Sequence, residues 1–201
     1  MTLPLNEAIT ICPLDAGTWA DMEALFEQPG YQHHCWCMAW RLRSPDYNAL
    51  DDAGRKTALH TLMQTGTPLG VLAYRGGQAV GWCSVAPRES YIRVERSNTL
   101  PRLDDQPVWT VICFYISPAA RGEGLPLELL KGAAAYAFSQ GAQIIEGYPI
   151  ETQYDARGKP KRDPAANMGT RSVFEKAGFR LAGQTPKGRG VMRLYAADRM
   201  V

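Results

Sequence analysis

The residues most able to do chemistry lie in Ile116-Ser117-Pro118-Ala119-Ala120-Arg121-Gly122-Glu123-Gly124-Leu125-Pro126-Leu127. An apolar run ends at Ile116, a glycine-rich turn follows, and an amphipathic segment begins at Leu125. If that segment is a helix, its first turn carries backbone N–H groups without intrahelical partners. Those donors and the helix dipole attract an anion. Gly122 and Gly124 let successive N–H groups converge on one phosphate without a Cβ in the way. Arg121 can add a charge-assisted bond, typically worth about 1.5–3 kcal/mol net. Such a turn could grip a diphosphate; the same residues also read as a tight strand-to-helix turn with no ligand. It is not a nucleoside-triphosphate loop, because no Gly-Lys-Ser/Thr follows. Nor is it a dinucleotide fingerprint, because hairpins precede it.

The elements around this turn follow from periodicity. Val108–Ile116 carries no charge and is rich in β-branched and aromatic residues, as a strand buried on both faces requires. Leu125–Ser139 has a helical period, with Leu127, Leu130, Ala134, Ala137 and Phe138 on one face, and Gly141 is placed to end it. Upstream, Ile9–Pro13 reads as a strand. Asp15 caps a helix from Ala16 to Glu27, and a second helix covers Asn48–Gln64. Leu69–Tyr74 and Gln78–Ala86 form a hairpin around Arg75-Gly76-Gly77, and Arg88–Gln106 is a long polar loop with some helical or strand content. Downstream come a strand at Gln143–Tyr148, a short helix at Met168–Ala177, and strands at Phe179–Ala182 and Val191–Ala196. This order predicts one α/β (α+β) domain over residues 1–201: a central mixed, mostly antiparallel sheet with helices on both faces.

Composition narrows the function. Of 201 residues, 45% are apolar and 21% charged, ordinary globular values that supply a core without metal or disulfides. The net charge of +2 argues against a nucleic-acid partner. The longest uncharged apolar run is too short to cross a bilayer, and the first residues lack a secretory pattern, so no membrane is expected and the cytoplasm is. Five cysteines, Cys12, Cys35, Cys37, Cys83 and Cys113, do not form a disulfide framework, and reduced thiols fit an intracellular protein.

Four other clusters bear on function. His33, His34, Cys35 and Cys37 invite zinc or redox chemistry, but their spacing does not match structural zinc patterns, so no metal is expected. Tyr31, Trp36, Met38 and Trp40 either wall an acceptor pocket or cover the sheet. Arg157, Lys159, Lys161 and Arg162 form a solvated loop or a flap that meets an anion. Glu146 and Tyr148 are two apart and share one face of a strand.

The turn and a second stretch together resemble the GNAT family of N-acetyltransferases. The family signature Arg/Gln-x-x-Gly-x-Gly/Ala is similar to Arg121, Gly124 and Pro126. A second family element is similar to Asn167–Phe179, read here as NMGTRSVFEKAGF. The resemblance implies a GNAT-like acyl-CoA N-acyltransferase fold and transfer of the acetyl group of acetyl-CoA to a primary amine. The expected acceptor is a small molecule, and a homo-oligomer is compatible with the sequence. It also implies that cofactor contacts come from Phe114, Tyr115, Ile116, Arg121, Gly122, Glu123, Gly124, Leu125, Pro126, Asn167 and Phe174. The N–H groups of Phe114 to Ile116 would pair with the pantetheine and polarise the thioester carbonyl.

Two departures from the family matter. Pro126 fits a helix's first turn but donates no N–H. Phe174 stands where the family often has a tyrosine that protonates the leaving thiolate, and phenylalanine has no proton to give. A lysine-like amine with a pKa of about 10.4 is mostly protonated near neutrality, so a base would help. Glu146 is the expected general base, directly or through water, with Tyr148 as proton donor or acceptor-positioning group. The bland alternative is a partnered structural carboxylate beside a core phenol. A chain that keeps the phosphate turn but lacks the general acid could also be a non-catalytic acyl-CoA-binding module.

Overall fold

A computed structural model describes residues 8–28, 34–153, 156–157 and 166–199. Seven strands make one sheet, β1 (Thr10–Pro13), β2 (Gly70–Arg75), β3 (Gln78–Pro87), β4 (Trp109–Ile116), β5 (Ile144–Gly147), β6 (Arg180–Gln184) and β7 (Gly190–Tyr195). Their spatial order is β1-β2-β3-β4-β5-β7-β6. Every neighbouring pair is antiparallel except β4–β5, which is parallel. The mixed, mostly antiparallel sheet expected from the sequence is therefore present.

Helices cover both faces. On one face lie α1 (Trp19–Phe26) and α3 (Asp52–Gln64), with Met22, Leu25, Phe26 and Leu59 packed in one core with Trp82, Ile112 and Tyr115. On the other lie α5 (Leu125–Ser139) and α6 (Arg171–Lys176), against Val71, Val80, Val111 and Phe114. Fully burying a leucine stabilises by roughly 1.5–3 kcal/mol, so α5, with three buried leucines, is a main fastening of that face.

Two sequence expectations shift. The buried stripe of α5 is Leu125, Leu129, Leu130, Ala133, Ala134 and Ala137, while Leu127 and Phe138 are only half-buried. The i, i+4 row from Leu125 meets the sheet, and Leu127 lies well off it. The helix expected over Asn48–Gln64 is two: α2 (Ser44–Asn48) ends, and the Asp51 carboxylate caps α3 by accepting the Gly54 N–H at 2.8 Å. The long loop after β3 has the helical content expected of it, a 3-10 turn at Arg88–Ser90 and the short helix α4 (Ile92–Glu95).

Candidate active site

The parallel pair positions the site. β4 and β5 are in register only at Trp109↔Ile145, Thr110↔Glu146 and Val111↔Gly147. β5 then stops, and β4 continues to Ile116 with β3 as its neighbour. A bulge marks the parting: Ser84 pairs with Cys113 and Val85 with Val111, so Ile112 is the extra residue. Bulges bend and twist a strand, and this one opens the edge of β4 where β5 leaves it. The Ser117 N–H donates to Val80 at 2.9 Å. Along an antiparallel strand, alternate residues turn their N–H and C=O groups to opposite edges. Tyr115 therefore faces β3, while Phe114 and Ile116 face the opening. The Ile116 carbonyl accepts the Arg121 Nε–H at 3.3 Å there. Of the three amides expected to meet the pantetheine, Tyr115 is thus corrected: the strand's alternation points its N–H away.

The glycine-rich turn lies at the end of this opening. Pro118–Ala120 forms a 3-10 turn, and Gly122 and Gly124 take φ of 85° and 76°, a left-handed conformation that costs other residues roughly 1–2 kcal/mol. Gly124 is the N-cap of α5, and Pro126 lies in its first turn. The Leu127 N–H is used locally, donating to Gly124 at 3.0 Å. Among the described residues, the N–H groups of Gly122, Glu123, Gly124 and Leu125 donate to no backbone carbonyl. These four free donors, with exposed Arg121 beside them, fit a diphosphate. Asn167 sits in a 3-10 turn (Ala166–Met168), its Nδ2 3.6 Å from Cys113 Sγ on β4.

Glu146 and Tyr148 share a face, as expected, but it is a closed one. Glu146 is 1% exposed and Tyr148 fully buried. One carboxylate oxygen accepts Arg193 Nε–H at 2.8 Å; the other accepts Arg88 Nη1–H at 3.3 Å and the Tyr148 hydroxyl. Arg88 Nη1 also donates to the Tyr148 oxygen. Arg88 continues to Glu95 at 2.6 Å and to the Leu100 carbonyl at 2.6 Å, and Arg193 grips Asp104 with two bonds, 2.6 and 3.0 Å. Burial first, and then the Glu146 charge, push the Tyr148 phenol well above its ordinary pKa. Both Glu146 oxygens are occupied, and the phenol's proton is committed to one of them. Neither Arg88 nor Arg193 was singled out in the sequence, where nothing links them to Glu146.

Phe174, expected at the cofactor, is fully buried. Its ring meets Phe114 and Phe179 edge to face, with centroids 6.4 and 5.0 Å apart. It also lies over Gly147, where a Cβ would come within 2.3 Å of the ring. A ring without a hydroxyl suits this position, since a buried hydroxyl would need a partner.

Trp36, Cys37 and Met38 are buried. Trp36 lies 6.3 Å from Trp19 and 5.3 Å from Phe26, so it covers the sheet. The Cys37 thiol accepts Trp82 Nε1–H at 3.0 Å, and hydrogen bonding with Cys113 and Cys35, with burial, raises its pKa well above the ordinary range. A thiol held so contains little thiolate, the reactive form. Among the described residues, no group of three or more His, Cys, Asp or Glu could hold a metal ion, and no helix is long and apolar enough to cross a membrane. Tyr31, His33, Lys159, Lys161 and Arg162 lie outside the described residues.

Comparison with known proteins supplies the family. No curated protein sequence matches the chain significantly. A solved structure of AAC(6')-Ib with paromomycin and acetyl-CoA is 16% identical, aligns over 96% of this chain and 97% of that one, and has a TM-score of 0.55. AAC(6')-Ib with ribostamycin and coenzyme A gives 16%, the same coverage and 0.56. The yncA protein of Salmonella typhimurium with acetyl-CoA gives 20%, 94% of each chain and 0.51. At such identities the likeness speaks for the fold alone. The sequence model described as "Acetyltransferase (GNAT) family" matches residues 19–157, more than half of the chain. With the parted β4–β5 pair and the amide-lined turn already in place, that match means that this chain belongs to the acetyltransferase (GNAT) family.

Proposed function

We propose that the chain transfers the acetyl group of acetyl-CoA to a primary amine of a small acceptor by direct attack. The observation that carries this reading is the open edge of β4 from Phe114 to Ile116, ending at a turn with four unused amides. Gly122, Glu123, Gly124 and Leu125, with Arg121, would hold the diphosphate. Phe114 and Ile116 would hold the pantetheine along the strand edge, and one of their N–H groups would polarise the thioester carbonyl. Bound acetyl-CoA supplies an activated acetyl group on a thiol leaving group.

Glu146 and Tyr148 take a positioning role in this reading, because their polar atoms are already engaged with Arg88 and Arg193. The amine then loses its proton to water, and the thiolate, with a reference thiol pKa of about 8.5, leaves without a protein acid. Rate should therefore climb with pH toward the acceptor's own pKa and show no limb from an enzymic base. Solved relatives of similar fold hold aminoglycosides, so polyamines of that size head the acceptor panel. Free coenzyme A released with each amine, measured with a thiol reagent, tests the proposal. Absence of turnover with every amine would refute transfer.

A non-catalytic acyl-CoA-binding module is the second reading, favoured by Phe174 in place of a tyrosine and by the closed Glu146 network. Calorimetric binding of coenzyme A without turnover would select it.

A further inference from the structure

The diphosphate turn contains a flaw that another element corrects. Glu123 lies between the two glycines, so a carboxylate sits among donors meant for an anion. An acidic group beside the start of a helix is drawn to the free N–H groups there. Left alone, Glu123 would repel a diphosphate and compete with it for the amides of Gly124 and Leu125.

Arg75 prevents both. It ends β2, where Arg75 pairs with Gln78 around a two-residue turn. The adjoining part of β3 is bonded to the start of the phosphate turn through Ser117 and Val80, so the hairpin tip and the turn share one end of the sheet. Arg75 is 5% exposed, and its Nη1 pairs with Glu123 Oε2. Its Nε is buried with no partner among the described residues, so the guanidinium has a donor to spare beside the turn.

We propose that Arg75 is a positioning residue for the diphosphate: it draws the Glu123 carboxylate off the helix start, cancels its charge, and leaves the amides of the turn free for the cofactor. This inference rests on the acetyl-CoA reading above and adds to it a residue outside the turn. The mechanism is electrostatic and local, so it acts on cofactor affinity rather than on the rate of transfer from the bound complex.

The test uses the full chain, calorimetry with coenzyme A as the probe, and steady-state kinetics with acetyl-CoA. Arg75→Gln should weaken coenzyme A about tenfold or more, the scale of losing one bond to a charged group. It should raise KM for acetyl-CoA by a similar factor and leave kcat within about twofold of the parent. Removing the carboxylate as well, in Arg75→Gln with Glu123→Gln, should restore most of the affinity, and Arg75→Lys should keep most of it. The deficit of Arg75→Gln should shrink with added salt, as repulsion is screened. Parental affinity in Arg75→Gln, or a double variant as weak as the single one, would overturn the proposal. Should Arg75→Gln fail to fold, the lysine and double variants decide: both must bind within a few-fold of the parent. If the parent itself does not bind coenzyme A, the acetyl-CoA reading fails first, and the two failures are thereby told apart.

Discussion

The two ends of the β4–β5 pair solve opposite problems with similar groups. At the paired end, Glu146 and Tyr148 are sealed beneath Arg88 and Arg193, and every polar atom of the carboxylate has a partner. At the parted end, Phe114 and Ile116 face an opening, and four amides of the glycine-rich turn have no backbone acceptor among the described residues. Full satisfaction in a buried place fixes geometry; unsatisfied donors at a solvent edge wait for a ligand. The lesson is that chemical type does not mark the working residues of this site. In the proposed reading a carboxylate, the residue most suggestive of catalysis, is structural at the closed end, while plain backbone would carry the binding at the open one.

The strongest way to break this contrast is Glu146→Gln. If the carboxylate is structural, the variant leaves two buried guanidiniums short of a counter-charge, and unpairing a buried ion pair costs about 3–5 kcal/mol. Denaturant unfolding should show that loss. Enzyme that stays folded at low temperature should keep the parent's pH–rate profile. A variant of parental stability with a collapsed kcat would instead make Glu146 the base and remove the distinction between the two ends.

Next in size is Gly147→Ala, at the last residue of β5. The new methyl would come within 2.3 Å of the buried Phe174 ring, and overpacking of this kind costs about 1–3 kcal/mol. For a chain this long each kcal/mol lowers Tm by roughly 2–4 °C. Gly124→Ala should cost less, about 1–2 kcal/mol for a left-handed alanine, since no heavy atom lies within 4 Å of the new Cβ. Its mark is in binding: coenzyme A affinity should fall, because strain at φ 76° redirects the amides of the turn. Unchanged affinity in Gly124→Ala beside a lower Tm would mean that the turn is a structural corner only.

The contrast also explains what could be read in advance. The open end was legible because its signals are local: a charge-free strand, two glycines, an arginine and an amphipathic segment within about twenty residues. The hairpin at Arg75-Gly76-Gly77 and the stop at Gly141 were legible for the same reason. The closed end was not. A period of two places Glu146 and Tyr148 on one face, but Arg88 is 58 residues from Glu146, Arg193 is 47 away, and Asp104 is 89 from Arg193. Nothing in a strand's own pattern says what folds over it. The same limit hid Arg75, which lies 48 residues from Glu123, and it misjudged the covered face of α5, which depends on where the helix meets the sheet. The break before α3 is different: Asp51 is a good N-cap, a local signal that a continuous helix over Asn48–Gln64 overlooked.

The smallest expected effect is on pH, and it separates the ends by titration. Arg193 holds the Asp104 carboxyl below the ordinary carboxylate range. A depressed folded pKa adds stability above the unfolded value of about 4, and that stability is lost as pH falls through the folded pKa. For Tyr148 the sign reverses. Its raised pKa adds stability that is whole below the unfolded value of about 10 and is lost as pH climbs beyond it. Asp104→Asn should therefore lower Tm near neutrality, with the gap to the parent narrowing as pH falls below about 4, where the unfolded chain's carboxyl takes up its proton, and on toward the depressed folded pKa. Asp104 is about a third exposed, so solvent screening keeps the gap small. The turn at the open end takes its donors from backbone amides, which do not titrate, so Gly124→Ala should show the same Tm deficit at every pH. A gap for Asp104→Asn that stays constant down to pH 3 would mean that the aspartate contributes by shape rather than by charge, and the closed end would lose its electrostatic character.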